Sequence, residues 1–301
     1  MAGDRPLNVC FIINPRSGRK SNNPSMVDRA KAFLRDHDIA GRVALTERRA
    51  HARDLARAAV DDGYDLIVAV GGDGTLNEVG GALIGTPATL GLIPRGSGNG
   101  LGRHLGLRHG PDQAFDTLRL GRTRVIDTGV VNGFPFINAM GIGFDAEISR
   151  RFSDLTSRGF RAYVSTASRL FFSYRPGTYT VHADKEDLAA NAFLLAVANS
   201  DQYGNDCYIA PGASVSDGLL DLTLIKEFGW LRAPSLAARL FTRSVDGSPV
   251  VSRLRAASFA IERAEEGPFH TDGEVHMAGR HLEVSVRPAS LRVRVPLEAA
   301  G

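Results

Sequence analysis

The N-terminal part of the chain alternates short apolar runs with stretches of helical periodicity. Leu7–Ile13, Val43–Leu45, Leu66–Val70 and Thr89–Ile93 are apolar runs of strand length. Met26–Arg35, Leu55–Asp62, Leu76–Leu83 and Pro111–Leu120 carry apolar residues three and four apart, the spacing that lines one face of a helix. A repeated strand, helix, strand order predicts a parallel sheet covered on both faces. Ligands of such sheets bind beyond the C-terminal ends of the strands, so the residues just after each run are the ones to read.

From about residue 126 the texture changes. Pro135–Met140, Gly177–Asp184, Phe193–Val197, Leu220–Lys226, Ser258–Arg263, Val275–Ala278, His281–Arg287 and Leu291–Val295 are strand-like pieces separated by turn residues, which predicts an antiparallel second domain. Helical stretches at Gly159–Phe172 and Ala233–Thr242 interrupt it, the latter with Pro234 where a first helical turn tolerates proline. The fold class is therefore α/β followed by β, with an α/β domain over 1–128 and a β-rich domain over 129–301. The C-terminal strand is free to return to the first domain.

Composition narrows the class. With 301 residues, 43% hydrophobic and 23% charged, the chain has globular values and excludes a disordered, fibrous or coiled-coil protein. A net charge of +3 excludes a dedicated nucleic-acid binder. Cys10 and Cys207 lie far apart and give no disulfide framework, which fits a reducing cytoplasm. No segment reaches the ~20 apolar residues of a membrane span, so any membrane contact is expected to be peripheral. None of the eight histidines has a zinc-ligand spacing.

Three strand ends in the first domain deliver glycine-rich or turn-rich loops: Asn14-Pro15-Arg16-Ser17-Gly18-Arg19-Lys20, Gly71-Gly72-Asp73-Gly74-Thr75, and Pro94-Arg95-Gly96-Ser97-Gly98-Asn99-Gly100. Glycine lets main-chain N–H groups approach a polyanion, and a following helix N-terminus adds favourable partial charge. Each loop alone also reads as a tight turn, and Thr75-Leu76-Asn77-Glu78 matches a capping box. Asp73 is harder to dismiss: set among glycines it cannot pack, and beside phosphates it calls for a cation or a protonated acceptor. Arg16, Arg19, Lys20 and Arg95 are candidate phosphate contacts.

Together with Gly141-Ile142-Gly143-Phe144-Asp145, Asp217-Gly218-Leu219-Leu220-Asp221 and Asp272-Gly273-Glu274, these loops resemble, in this order, the diacylglycerol kinase catalytic-domain family. That family includes bacterial soluble lipid kinases, diacylglycerol kinases, sphingosine kinases and ceramide kinases. The resemblance covers residues 7 to about 295. It implies an α/β nucleotide domain like that of NAD kinases, a β-sandwich-like lipid domain, and an active site in the cleft. The implied activity is an ATP- and Mg²⁺-dependent lipid kinase. Its implied setting is cytoplasmic, acting on a lipid substrate at a peripheral membrane surface, with a homodimer left open.

By resemblance, Asn14, Pro15, Arg16, Ser17, Gly18, Arg19, Lys20, Thr46, Gly71, Gly72, Asp73, Gly74, Thr75, Asn77, Glu78, Gly96, Ser97, Gly98 and Asn99 match positions that bind ATP. Asp73 matches an acidic residue essential to catalysis, and Asp272 and Glu274 match the segment that supplies a general base. Ser214, Asp217 and Leu219 match a second-domain Mg²⁺ site, and Asp73 with Asp127 would hold the catalytic Mg²⁺ through water. Bacterial diacylglycerol kinases commonly have Asp where this chain has Gly100. The loop around Gly96–Gly100 looks more like sphingosine kinases, in which the position of Asp145 engages an amino-alcohol head group.

The residues also allow plainer readings. Asp272-Gly273 is a strong two-residue hairpin turn, Asp217-Gly218 is a turn as well, and Asp145 is placed to cap a helix beginning near Ala146. Arginines and aromatics between residues 150 and 175 suit either an anionic bilayer or a core stripe with a solvated face. An NAD kinase-like enzyme, or a lipid- or nucleotide-binding protein without catalysis, are the alternatives.

Overall fold

The computed structural model describes residues 7–18, 25–96, 98–107, 110–153, 167–184 and 186–298. They form two compact units, one running to Ile126 and resuming at Ala289, the other Asp127–Pro288.

In the first unit the elements are β1 (Asn8–Ile13), α1 (Met26–Asp36), β2 (Ala40–Leu45), α2 (His51–Asp61), β3 (Leu66–Gly71), α3 (Asp73–Leu83), β4 (Thr89–Pro94), α4 (Gly100–His104) and α5 (Pro111–Leu120). The strands lie in the order β2-β1-β3-β4, every pair parallel. Arg292 and Val293 of the last strand extend the sheet beside Thr89 and Leu90, again in parallel. Val9–Ile12 and Ile67–Ala69 have no exposed surface, as the interior strands of a sheet covered on both faces require. Phe11 meets Phe33 of α1 and Phe115 of α5 at ring distances of 5.8 and 6.1 Å. The Ser25 side chain accepts the Asp28 N–H and starts α1, a cap worth about 1 kcal/mol. After β1 the chain steps outward to β2 and then crosses to β3, which sets a switch point between β1 and β3.

The second unit contains the end of β5 (Arg122–Val131), then β6 (Phe134–Phe136), β7 (Ala139–Gly143), α6 (Phe144–Ser153), β8 (Gly177–Ala183), β9 (Asp187–Ala198), β10 (Leu220–Lys226), α7 (Ala233–Phe241), β11 (Val251–Ala256), β12 (Ser258–Arg263), β13 (Gly267–Thr271), β14 (Glu274–Ala278) and the start of β15 (His281–Val295). The first half of β9 pairs with β8, and its second half runs between β7 and β10, all antiparallel. Phe136, Phe259 and Phe269 pack with Val197 and Leu222 in one core. A second cluster, with Phe144, Leu194, Ile209 and Leu236, lies under α6 and α7. Among the described residues no helix is long and apolar enough to cross a membrane.

Several boundaries differ from the periodicity, for local reasons. The strand expected over Pro135–Met140 splits into β6 and β7, because the N–H groups of Ile137 and Asn138 turn to the Asp272 carboxylate. The two terminal strands expected from His281 onward are one strand that passes Ala289 at φ +48°. The helix expected at Leu76 begins three residues earlier, with Gly72 at its N-cap, so Thr75 lies within it and the capping box is not formed. α4, β5 and β11 were not foreseen, and β13 was foreseen only as the arm before the Asp272-Gly273 turn. Most of the helix expected over 159–172 lies outside the described residues; 167–171 are helical.

Candidate active site

In the first unit the loops after β1, β3 and β4 interlock. Asn14 Nδ2 donates to Thr75 Oγ1 (3.2 Å), and Asn14 Oδ1 accepts the Arg16 N–H (2.9 Å), which with Pro15 turns the chain. The Ser17 hydroxyl donates to the Asn14 carbonyl (2.8 Å). Gly18, at φ +86°, is where the loop passes the Arg95 guanidinium; a Cβ there would lie 2.6 Å from it. Gly96 sits against Gly72, where a Cβ would come within 2.9 Å of the Gly72 Cα. The Asn99 side chain closes the third loop, accepting the Gly96 N–H (3.1 Å) and donating to its carbonyl (2.8 Å).

Asp73 is the first residue of α3, and its carboxylate is held by the third loop. Oδ2 accepts the Asn99 N–H (2.9 Å) and Oδ1 the Gly100 N–H (3.1 Å). Gly98 must be glycine for this approach, since a Cβ would lie 2.6 Å from Asp73 Oδ2. Burial pushes the Asp73 carboxyl above its ordinary pKa, and the two amides and Arg103 pull it back only in part. Gly100 thus contributes a main-chain amide where the resemblance leads one to expect a carboxylate. Next to Asp73, Gly74 is exposed and a Cβ there would meet nothing, so the first turn of α3 presents a bare main-chain surface.

Other residues matched to ATP have local duties. Glu78 accepts the N–H groups of Ala50 (3.1 Å) and Ala52 (3.0 Å); it caps α2, which has no side-chain cap of its own. The Thr46 N–H bonds the Ile13 carbonyl (2.9 Å), at the end of β2 beside the loop after β1. Gly71 and Asn77 flank the same segment. Arg19, Lys20 and Ser97 lie outside the described residues.

In the second unit Asp272 and Gly273, at φ +51° and +85°, form the two-residue turn between β13 and β14. The Asp272 carboxylate accepts from Ile137 N (2.8 Å), Asn138 N (2.8 Å) and Ala139 N (2.9 Å). Burial pushes its pKa up against the pull of those three amides and His270. Glu274, two residues on, is exposed.

Asp145 does not cap a helix, because α6 begins one residue before it. Its Oδ2 lies 2.8 Å from His270 Nε2, with both side chains 5% exposed. Gly141 makes room for the pair, since a Cβ there would lie 2.5 Å from each partner. Burial opposes a charge on His270, but Asp145 outweighs it and holds the imidazole pKa above its usual value. When neutral, His270 Nδ1 accepts the Gly273 N–H (3.3 Å), which ties the pair to the turn.

Asp127, 4% exposed, accepts the Gly218 N–H (2.8 Å). Asp217 Oδ1 accepts the Leu219 N–H (3.1 Å), and Oδ2 is paired with Arg255. Main-chain carbonyls of Ser214 and Leu219 with one carboxylate are oxygen donors of the kind Mg²⁺ takes. Arg255, itself exposed, shares that carboxylate. Asp73 and Asp127 belong to different units, and among the described residues no three His, Cys, Asp or Glu side chains gather as metal ligands.

The sequence reading missed His270, Asn138 and Asn199. Asn199 Nδ2 donates to the carbonyls of Asp127 and Ile137 (2.8 Å each), and Asn138 Nδ2 to that of Gln202 (3.0 Å). The one signal in the sequence is the polar run Asn199–Gln202 directly after the apolar end of β9, which is buried throughout.

Residues 8–131 match the diacylglycerol kinase catalytic domain, and residues 138–295 match the YegS C-terminal NAD kinase beta sandwich-like domain. A Salmonella typhimurium protein named "Probable lipid kinase YegS" is 29% identical over 293 residues, 95% of each chain. An uncharacterized Synechocystis protein is 27% identical over 311 residues, 96% of this chain and 70% of its own. Among solved structures, a diacylglycerol kinase from Bacillus anthracis gives a TM-score of 0.74 at 20% identity, covering 97% of this chain and 98% of that one. An NAD kinase from Archaeoglobus fulgidus in complex with ATP gives 0.53 at 12% identity, covering 96% and 93%. These two likenesses bear on the fold: an α/β domain of the kind shared by diacylglycerol and NAD kinases, then a β-sandwich-like domain. With both domain models matched in this order along almost the whole chain, the protein belongs to the diacylglycerol kinase catalytic-domain family, in the group that carries the YegS-type C-terminal domain.

Proposed function

We propose that this protein is an ATP- and Mg²⁺-dependent lipid kinase that transfers a phosphoryl group to the hydroxyl of a membrane-derived lipid. The observation that carries this is the interlock of three bare loops at the β1/β3 switch point around the clamped Asp73 carboxylate. Phosphoryl transfer asks for positioning and charge neutralisation rather than covalent chemistry. The first-turn amides of α3 and the loop after β4 bind phosphate oxygens, with Arg95 adding charge beside the loop after β1. Mg²⁺, arriving with ATP, would neutralise phosphate charge near Asp73. Asp272 spends its lone pairs on three amides and anchors the turn. That leaves the exposed Glu274 as the carboxylate best suited to take the hydroxyl proton.

The pairing of Asp145 with His270 favours a neutral acceptor of the diacylglycerol type. An amino head group at Asp145 would have to displace a buried imidazole. The test is transfer of label from ATP, with Mg²⁺, to micellar diacylglycerol, monoacylglycerol, ceramide and sphingosine-type bases, with NADP formation measured alongside. Labelled diacylglycerol is expected; label only in long-chain bases would return Asp145 to the substrate, and NADP alone would reject the lipid reading.

A further inference from the structure

We propose that Phe172, Trp230 and Leu231 form the edge by which the second unit docks on an anionic bilayer. This rests on the lipid kinase reading, since an acceptor lipid stays in the membrane while the enzyme comes to it. The three side chains are 81%, 66% and 73% exposed, unusual for groups of this size and polarity.

They come from two segments that an aromatic cluster holds together. Phe171 stacks edge-on against Phe172 (5.4 Å) and tilts onto Phe228 (5.8 Å), and Phe228 packs on Phe193 (5.1 Å). Trp230 follows Phe228 by two residues, so their Cα atoms stand within ~7 Å. The 3₁₀ turn Trp230–Arg232 runs directly into α7, whose Leu236 is buried in the same cluster. The apolar tips therefore project from a packed base.

Charge decides the partner. Arg169 and Arg175 flank Phe172, Arg232 follows Leu231, and all three are exposed. Among the described residues none of the three pairs with a carboxylate, and Glu227 is the one acidic residue in 167–175 and 226–241. Arginines around an exposed tryptophan match the headgroup layer of an anionic membrane, where the indole body is buried and its N–H stays wet.

Trp230 is the only tryptophan of the chain, so its fluorescence reports the contact directly. The full chain is mixed with phosphatidylglycerol/phosphatidylcholine vesicles and with phosphatidylcholine vesicles, following emission and co-sedimentation. Expected are a blue shift and sedimentation with the anionic vesicles, both reversed by salt. Leu231→Ala and the double change Arg169→Glu with Arg175→Glu are each expected to weaken vesicle binding about tenfold or more, with transfer to detergent-dispersed lipid retained. An emission that ignores vesicles in a protein active on dispersed lipid overturns the docking edge and leaves the kinase reading standing. Vesicle binding through Trp230 without transfer to any lipid does the reverse. A shift that tracks protein concentration without vesicles assigns the edge to a second copy and also overturns the proposal.

Discussion

Asp73 in the first unit accepts hydrogen bonds from two amides of the loop after β4, whereas Asp272 in the second accepts three from the stretch between β6 and β7. The bonds are alike but the settings differ. Around Asp73 the neighbours are Gly72, Gly74, Gly96 and Gly98, which leave main chain bare for a ligand. Around Asp272 the amides belong to a break between two strands, and the buried pair of His270 and Asp145 is tied to the same turn. In the proposed reaction the first carboxylate is the one held in place for chemistry, while the second holds a turn and leaves the proton transfer to Glu274.

The widest separation between the two regions is expected in turnover. Asp73→Asn keeps the size of the side chain but sets an amide NH₂ against a main-chain N–H and removes the charge. It should lower kcat at least about a thousandfold, the scale of losing a charge-positioning group in phosphoryl transfer, and a steady-state assay measures it. Asp272→Ala is the counterpart: three amides lose their acceptor, costing about 3 kcal/mol or more of stability, read by denaturant unfolding of the second unit. Gly98→Ala tests the clamp itself. Its Cβ at 2.6 Å from Asp73 Oδ2 must push the carboxylate away, at about 1–3 kcal/mol, with a fall in activity larger than the fall in stability.

The smallest effect is in pH. Burial holds the Asp73 pKa above its ordinary value, so the fold favours the neutral carboxyl. Its contribution to stability is full below the unfolded value near ~3.9 and is lost as pH rises through the folded value. If Asp73 acts ionised, as proposed, activity should rise through the same window, and Asp73→Asn should lack that decline in stability. An acid limb of kcat/KM at or below pH ~4 would show that the carboxylate is not desolvated.

Much of the first unit was legible in the sequence because β1, β3 and β4 are buried along most of their length and read as apolar runs. The loops were legible because glycine clusters where the apolar runs end, although each loop alone also reads as a tight turn. The Asp272-Gly273 hairpin was visible for the same local reason, and the left-handed φ of both residues bears it out. What could not be read depends on partners far along the chain. Asp145 and His270 are 125 positions apart, and nothing in either neighbourhood announces the other. Glu78 reaches the amides of α2 across 26 and 28 positions, so its match to a capping box was a coincidence of spacing. The split of β6 from β7 is caused by a side chain more than 130 residues downstream.

The most direct test of the account follows label from ATP into diacylglycerol for the unaltered chain and for Asp73→Asn, with ATP binding measured on both. Expected is labelled lipid from the first and none from the second, while the variant remains folded. Equal transfer by both proteins, or NADP as the sole product, would contradict it.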